Sequence, residues 1–355
     1  MNESNGVYNQ YRIFYHADKI RSIQRSERTA PIYVRLKPTN LCNQNCYYCC
    51  YANGNYKGRE IEKSDYIPWP KMEEILDDLE AMGIKALTLS GGGDPLCYRY
   101  INDLLTRIIR MGVDYAVITN GQALTGRTAE QLANANWVRI SLDSANSEHY
   151  FQMRGARTFD KVISNIKRFA EMKSPSCELG INFVVAKENS GDVYKICETA
   201  KNIGVNNIKF SPALQWDNSP FYHQDIKRAV TEEISRAAVD FGGNEFIVTD
   251  KYSDDIYFAQ NSLKNYARCY ISEFFTVIAA DCKVYMCHQK SYTKEGEIGD
   301  LSTQSFKELW FSKDIQEKMK QFRPDCVCDN VCAFEERNSL LNSALNADDQ
   351  FINFI

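Results

Sequence analysis

Three closely spaced cysteines constrain this chain more than any other feature. Cys42, Cys46 and Cys49 follow a C-x3-C-x2-C pattern. Thiolates are soft ligands that select zinc, copper(I) or iron–sulfur clusters. A structural zinc site needs a fourth ligand and usually consists of two C-x2-C pairs, whereas three thiolates fit a [4Fe–4S] cluster with one iron left open. The spacing favours such a cluster, and reduced structural thiols or zinc are the alternatives.

The triad lies on a loop that follows a predicted first strand. Residues 32–36 are β-branched and aromatic, as expected for a strand, and Pro38 ends the run. This arrangement resembles the signature loop of the radical S-adenosylmethionine (SAM) superfamily, in which the open iron binds the amino group and carboxylate of SAM. The resemblance rests on the cysteine spacing and on Tyr48 directly before the third cysteine.

Composition narrows the compartment and the partners. Net charge is −4, so bulk electrostatics do not support a nucleic-acid partner. The polar first ten residues lack the apolar stretch of a signal peptide, and no apolar run approaches the roughly 18 residues of a membrane span. In a chain without an export signal, 13 cysteines indicate metal binding rather than disulfides. We expect a cytoplasmic, oxygen-sensitive protein with no membrane partner.

Predicted strands alternate with amphipathic helices along most of the chain. The helix that begins near Pro70, for example, carries Met72, Ile75 and Leu79 at helical spacing. Six such units predict a parallel sheet with right-handed crossovers. The predicted fold class is α/β, a partial (β/α)6 TIM-type barrel with a small C-terminal α+β domain, and the family resemblance implies the same barrel. The expected parts are an N-terminal extension at 1–30, the barrel at 31–245, a linker at 246–268 and an auxiliary domain at 269–355. The extension is either a helix that closes one barrel end or a loosely attached segment.

Glycines follow the second predicted strand, at a barrel edge where working residues collect. Gly91, Gly92 and Gly93 precede Asp94, and such a run lets the backbone approach a ligand closely. The stretch resembles the family's motif for the SAM amino group, although the usual form is Gly-Gly-Glu-Pro. A plain strand-to-helix turn is the alternative.

Other strand ends supply polar candidates. Ser141 and Asp143 project to one side of the fourth strand because side chains alternate. The resemblance puts both, and Asn120 after the third strand, near SAM. Arg154 stands where relatives clamp the SAM carboxylate, a group that a guanidinium binds through two hydrogen bonds; a solvated surface arginine is the alternative. The SAM contacts that the resemblance implies are Tyr48, Gly91, Gly92, Gly93, Asp94, Asn120, Ser141, Asp143 and Arg154.

A second group of cysteines lies near the C-terminus. A predicted hairpin brings Cys269 and Cys287 towards one end, and a C-x-C-x3-C stretch follows at Cys326, Cys328 and Cys332. This resembles the auxiliary-cluster extension of SPASM and twitch radical SAM proteins. It implies one auxiliary [4Fe–4S] cluster held by Cys269, Cys287, Cys332 and either Cys326 or Cys328. A zinc site is the rival interpretation.

The resemblance implies an enzyme that cleaves SAM to methionine and a 5′-deoxyadenosyl radical, with the barrel positioning the radical against one substrate hydrogen. We expect a small polar substrate, such as a sugar, aminocyclitol or nucleotide-sugar, that is oxidised, epimerised or deaminated. The expected electron donor is a flavodoxin or ferredoxin. A redox-neutral reaction would need a thiol hydrogen donor, and Cys97 and Cys282 are the candidates.

Two other functions remain open at this point. One is modification of a ribosomal peptide, forming a cross-link or an epimer, although such enzymes commonly carry a leader-peptide domain that we do not find. The other is a non-enzymatic iron–sulfur carrier or redox sensor, which would leave the glycine loop and the polar strand ends without a task.

Overall fold

The computed structural model describes residues 9–51, 58–213, 223–254, 264, 266–328 and 332–347. The strands in this part of the chain are β1 (Tyr33–Leu36), β2 (Ala86–Leu89), β3 (Asp114–Thr119), β4 (Trp137–Ser141), β5 (Glu178–Val185), β6 (Asn207–Pro212), β7 (Ile247–Asp250), β8 (Phe275–Ile278), β9 (Lys283–Tyr285) and β10 (Glu297–Asp300). The α-helices are α1 (Ala17–Gln24), α2 (Trp69–Ala81), α3 (Ile101–Met111), α4 (Gly126–Leu132), α5 (Ser147–Arg154), α6 (Phe159–Met172), α7 (Val193–Asn202), α8 (Lys227–Phe241), α9 (Ile271–Phe274), α10 (Phe306–Phe311), α11 (Lys313–Gln321), α12 (Pro324–Val327) and α13 (Glu335–Leu345). No helix among the described residues is long and apolar enough to cross a bilayer.

The strands form one sheet in the order β10-β9-β8-β1-β2-β3-β4-β5-β6-β7. Neighbours from β1 to β7 are parallel, and the helices α2 to α8 connect β1 to β7 in chain order. The fold-class prediction of an α/β barrel is confirmed. Because all these strands point the same way, their C-terminal ends and the loops after them share one edge.

Alternate residues of each strand face two different environments. Val34, Leu36, Val138 and Ile140 belong to the large apolar core, in which strand residues pack against α2, α3, α6, α7 and α8. The residues between them must face the opposite side, the interior of the partial barrel. Arg35, Arg139 and Lys209 are therefore interior residues, as the apolar neighbours on either side of each belong to the outer core.

The C-terminal part joins the barrel sheet directly. β8 pairs in parallel with β1, with Arg35 opposite Val277, and β9 and β10 continue antiparallel. The segment expected as a linker at 246–268 begins with β7, which pairs with β6, so the six predicted units are followed by one more parallel strand; residues 255–263 and 265 lie outside the described residues. The chain after the hairpin forms two helices, α10 and α11, which are separate because Ser312 is extended and caps α11 by accepting from Ile315 N at 3.3 Å.

The N-terminal extension packs on the C-terminal helices. A 3-10 helix at Gln10–His16 and α1 contribute Ile13 and Ile23 to a small core with Phe274 and Leu341. Arg28 adds an ion pair to Glu273 at 2.7 Å. The described part of the extension is thus attached to the auxiliary-domain side of the molecule.

Candidate active site and cluster-binding cysteines

The triad loop is held by one residue at the end of a helix and one residue that follows a strand. Arg154, at the end of α5, accepts from Asn45 N through its carbonyl at 3.0 Å, and its Nη1 lies 3.5 Å from Cys46 Sγ. Asn120, after β3, donates to Asn43 Oδ1 at 2.7 Å and lies 3.9 Å from Cys42 Sγ. Two predicted SAM contacts therefore touch the triad loop itself.

The three thiols are electrostatic neighbours. Burial, followed by the nearby Asp94 carboxylate, raises the pKa of Cys42. Burial also raises the pKa of Cys49 to about 12, with further contributions from Cys50, Cys46 and Cys42. A coordinating metal deprotonates such a thiol outright. Adjacent soft donors on one loop fit a cluster held by three thiolates.

Two of the three glycines, Gly92 and Gly93, are required by the close approach of the triad loop, and a Cβ at Gly91 would overlap the Gly93 backbone. A Cβ at Gly92 would overlap the Asn40 side chain, and one at Gly93 would overlap the Leu41 carbonyl. Gly93 N and Asp94 N donate to the carbonyls of Thr39 and Leu41 at 3.1 and 2.9 Å. The glycine stretch thus forms part of the support of the triad loop, and its role in holding the SAM amino group stays a prediction.

The Asp94 carboxylate is occupied by protein donors. It accepts from Leu96 N at 2.9 Å, from Thr119 Oγ1 at 2.9 Å and from Asn120 N at 2.6 Å. Burial raises its pKa, partly opposed by these hydrogen bonds. Asp94 therefore positions Asn120 and joins the ends of β2 and β3, a task that requires a short acidic side chain after the glycines.

Asp143, Arg154 and Tyr48 form a buried cluster beside the triad. Asp143 has no exposed surface and accepts hydrogen bonds from the Tyr48 hydroxyl and the Arg154 guanidinium. Its backbone is left-handed, with φ of 54°, and Val184 N donates to its side chain at 2.7 Å. Burial raises the pKa of Asp143, while the Arg154 charge opposes that shift.

Arg154 keeps one buried nitrogen that the cluster does not use. Its Nε has no hydrogen-bond partner among the described residues. Ser144 Oγ, next to Asp143, is likewise buried without a partner there. The Arg154 guanidinium, which borders Cys46, fits a polar ligand such as SAM, whose contacts with Arg154 and Asp143 stay predictions. Ser141 lies on the interior face of β4, opposite Asn182 in β5.

The second cysteine group assembles around an apolar cavity. Four cysteines line it, Cys269, Cys287, Cys328 and Cys332, together with apolar side chains that include Ile271, Met286 and Phe322. Cys326 is exposed and does not line the cavity. The spacing left open whether Cys326 or Cys328 is the fourth ligand, and the position of Cys328 in the cavity wall favours Cys328.

The thiols in this group influence one another. Burial raises the pKa of Cys328 to about 12, and Cys287 and Cys332 contribute to the rise. Cys332 accepts from Phe334 N at 3.4 Å. The proximity of these thiols, which three separate chain segments supply, fits a cluster whose corners each take one thiolate.

A single bound ion would need a tighter arrangement. Within the described residues, no three His, Cys, Asp or Glu side chains converge on one point as ligands of one metal ion. A [4Fe–4S] cluster makes a different demand, because each thiolate binds a different iron atom and the sulfurs remain apart. Both cysteine groups fit that demand by donor type and by grouping.

Family comparisons agree with both groups. The model of the radical SAM superfamily matches residues 36–200, and that of the SPASM iron–sulfur cluster-binding domain matches residues 269–333. This chain carries a radical SAM domain and a C-terminal SPASM iron–sulfur cluster-binding domain. The radical SAM domain binds a [4Fe–4S] cluster and SAM, and the SPASM domain binds auxiliary iron–sulfur clusters.

Curated relatives match part of this chain in sequence. Proteins named "Probable GTP 3',8-cyclase" are 27% identical over 177 residues in Saccharolobus islandicus, covering 49% of this chain and 54% of the relative. The protein of that name in Pyrococcus abyssi is 28% identical over 214 residues, covering 58% of this chain and 66% of the relative. The chain spans about half the length of the first of these relatives.

Solved structures resemble the radical SAM chain over most of its length. Streptococcus suis SuiB bound to precursor peptide SuiA matches with a TM-score of 0.63, at 16% identity, covering 91% of this chain and 74% of SuiB. Native anSMEcpe with bound AdoMet and Kp18Cys peptide matches with a TM-score of 0.60, at 18% identity, covering 83% of this chain and 84% of that one. At these identities the likeness shows the fold alone.

The two candidate hydrogen donors of the radical SAM enzyme lie in different places. Cys97 is close to the triad loop, since Asn43 N–H and the Cys42 thiol both influence its pKa, which burial raises to about 12. Cys282 lies in the β8–β9 turn with φ of 59°, at the position where a glycine would be unstrained. Its charged neighbours Asp281, Lys71 and Asp300 belong to neither cysteine group. Position favours Cys97 over Cys282.

Sequence reasoning missed a buried lysine between the two cysteine groups. Lys37 has no exposed surface; its Nζ donates to Ser291 Oγ at 2.6 Å and Tyr51 OH at 3.1 Å. Its Nζ also lies 4.3 Å from the ring centre of Tyr51 and 4.9 Å from that of Tyr292. Tyr292 in turn donates to Asn40 Oδ1 at 2.5 Å. The signal available in the sequence was a pair of charged residues two positions apart, Arg35 in β1 and Lys37 directly after it.

Proposed function

We propose that this radical SAM enzyme removes a hydrogen atom from a small polar substrate held inside the barrel, and that the net reaction is an oxidation. The auxiliary cluster is a single [4Fe–4S] cluster held by Cys269, Cys287, Cys328 and Cys332. An external one-electron donor such as a flavodoxin or ferredoxin supplies the reducing equivalent for SAM cleavage. Epimerisation and deamination are the other outcomes of the same first step.

One observation carries this proposal: the second cysteine group adjoins the polar interior of the barrel. Burial would lower the pKa of Arg35, but Tyr33, Tyr51 and the Cys287 thiol raise it overall, and Lys37 lowers the pKa of Cys287 against the larger effect of burial. Burial lowers the pKa of His288, the next residue, and Arg35, Lys37 and Lys209 lower it further. A substrate among these side chains therefore has an electron acceptor beside it.

Arg154, Tyr48 and Asn120 border the triad and are the residues that would hold SAM. When bound, the reduced cluster and SAM supply a carbon radical that takes a hydrogen atom from the substrate, and the auxiliary cluster supplies an acceptor for the electron left behind. Asp143 fixes Arg154 and Tyr48, and Asp94 fixes Asn120. Fixing these side chains in advance lowers the cost of orienting the reactants.

The oxidation balances as a two-electron process. A carbon that carries a hydroxyl group loses one hydrogen atom, breaking its C–H bond. It then loses one electron to the acceptor and the hydroxyl proton to water, and the C–O single bond becomes a carbonyl. An amine would follow the same course to an imine.

The test uses the anaerobically reconstituted full-length enzyme with SAM and dithionite. Small-molecule and peptide fractions of a cell extract are added separately, and 5′-deoxyadenosine is measured. We expect the small-molecule fraction to stimulate its formation and to yield a carbonyl product that hydroxylamine traps. In D2O that product should carry no label at the abstracted carbon. Label there would indicate epimerisation, and stimulation by the peptide fraction alone would overturn the small-molecule assignment.

Peptide modification is the second candidate. Two structures of the same fold are described as bound to a precursor peptide and to the Kp18Cys peptide. The curated relatives named "Probable GTP 3',8-cyclase" favour a nucleotide-type substrate instead, and they match this chain more closely in sequence. The charged interior agrees better with a small polar substrate than with a peptide side chain.

A further inference from the structure

A group of cations lines the interior face of the sheet. Arg35 comes from β1, Arg139 from β4 and Lys209 from β6, each from the face opposite the apolar core. Arg139 is buried, and Arg35 and Lys209 keep only part of their surface accessible. Three elements therefore deliver positive charge to one enclosed region.

These cations act on one another. Burial lowers the pKa of Lys209 to about 7, and Arg139, Arg35 and Lys251 lower it further. Lys251 has a carboxylate beside it, Asp254 at 3.1 Å. Like charges at close range are costly in a protein interior. Such a group is stabilised when a polyvalent anion binds among its members.

Neutral polar groups point to the same region. Asn182 lies directly opposite Lys209 in the β5–β6 register. Arg35 Nε, Asn182 Oδ1 and His288 Nδ1 are buried atoms without a hydrogen-bond partner among the described residues. Buried polar groups are normally satisfied, so three in one region indicate that a polar ligand completes their hydrogen bonding.

We propose that Arg35, Arg139 and Lys209 bind a phosphate group of the substrate inside the barrel, with Asn182 and His288 adding neutral contacts. The inference rests on the proposed function, because it describes the substrate of the same site. A carboxylate carries one negative charge, whereas a phosphate monoester carries about −1.5 to −2 at neutral pH. Three neighbouring cations match the larger charge, and arginine suits phosphate because its planar fork donates two parallel hydrogen bonds.

Pyrophosphate binding to the reconstituted enzyme tests this assignment without turnover. Isothermal titration calorimetry compares the wild type with Arg139→Gln and Lys209→Gln. Lys167→Gln, an exposed lysine on α6, is the matched control for loss of one charge. We expect each interior substitution to weaken pyrophosphate binding at least about tenfold, and the control to leave it unchanged. Equal affinities in all four proteins would overturn the proposal.

Two further measurements separate this proposal from the proposed function. Malonate, a dicarboxylate, should bind the wild type at least about tenfold more weakly than pyrophosphate; equal binding would indicate a non-specific cationic cleft and reject the phosphate assignment even if a variant fails to fold. Iron content and SAM affinity of the variants should match the wild type. Failure of the wild type to cleave SAM would reject the proposed function whatever the pyrophosphate result.

Discussion

The two cysteine groups are built in opposite ways. The first lies on one short loop, and its surroundings are polar: Arg154 and Asn120 lie against the sulfurs of Cys46 and Cys42. The second brings Cys269, Cys287, Cys328 and Cys332 together from separate segments, around a cavity with largely apolar walls. The ligands of the first group are close together in the sequence and have polar neighbours. Those of the second group are far apart in the sequence and have mainly apolar neighbours.

The difference in surroundings fits different functions of the two cysteine groups. A polar border with unsatisfied buried atoms suits a site where a small cofactor enters and leaves. Apolar walls raise the electrostatic cost of charge and exclude water, which suits a cluster that remains bound and passes electrons. The contrast also predicts different consequences of losing ligands, because metal-binding energy is folding energy only where the site joins distant segments.

Loss of the first group has the largest expected effect. Replacing Cys42, Cys46 and Cys49 together by alanine should remove about four of about eight irons per chain and abolish SAM cleavage under dithionite. The local loop should still fold, so the melting temperature should change little. Iron analysis and 5′-deoxyadenosine assays measure the outcome, and SAM cleavage by the triple variant would contradict it.

Loss of one ligand from the second group should act on folding. Cys287→Ala should preserve the first cluster and SAM binding but loosen residues from about 265 to the C-terminus. Hydrogen exchange measures this loosening. Cys326→Ala is the matched control, because Cys326 is exposed and outside the cavity. If Cys326→Ala loses iron while Cys328→Ala retains it, the ligand assignment is wrong.

The polar border of the first group can be tested through SAM affinity. Arg154→Ala should raise the SAM Kd by roughly ten- to hundredfold, since a charge-assisted contact is worth about 1.5–3 kcal/mol. Iron content should be nearly unchanged. Arg157→Ala removes an exposed arginine that stacks on Phe151 at 4.1 Å, and it should leave the Kd unaltered. Equal SAM affinity in both variants would exclude a clamp role for Arg154.

The remaining expected effect concerns stability and pH. The pKa of Lys209 is lowered from 10.5 to about 7. The unfolded chain therefore binds a proton that the folded chain does not, and stability of the ligand-free protein falls as pH drops from 10.5 towards 7. Lys209→Met removes this penalty and should raise the free energy of unfolding at pH 7 by on the order of a few kcal/mol, because each pKa unit is worth about 1.4 kcal/mol, with a smaller gain near pH 10. Chemical denaturation at several pH values in this range measures the effect, with Lys167→Met as the control. A Lys209→Met variant that is less stable than the wild type at every pH would contradict the account.

Local sequence patterns predicted most of the fold. Apolar residues at every second position predicted the strands, and apolar residues three and four positions apart predicted the helices. Both patterns arise because each element buries one face against the next layer. β7 was missed, as Ile247–Asp250 is short and only partly buried. The pairing of β8 with β1 was also beyond reach, because it joins segments that no local signal connects.

The site divides in the same way. The triad was readable because its ligands share one loop. The tasks of Asp94 and Asp143 were not, since both depend on tertiary partners: Thr119 and Asn120 for one, Tyr48 and Arg154 for the other. The interior cations were overlooked because charged residues within short strands look like solvent-facing positions until the layer that covers each face is known.

The most direct test of the two-cluster account is EPR of the dithionite-reduced, anaerobically reconstituted enzyme with and without SAM. We predict two [4Fe–4S] signals of comparable intensity, of which SAM alters one. In the triple Cys42/Cys46/Cys49→Ala variant only the unaltered signal should remain. A single signal from about four irons, zinc in the C-terminal group, or an identical response of both signals to SAM would contradict the division of work between the two cysteine groups.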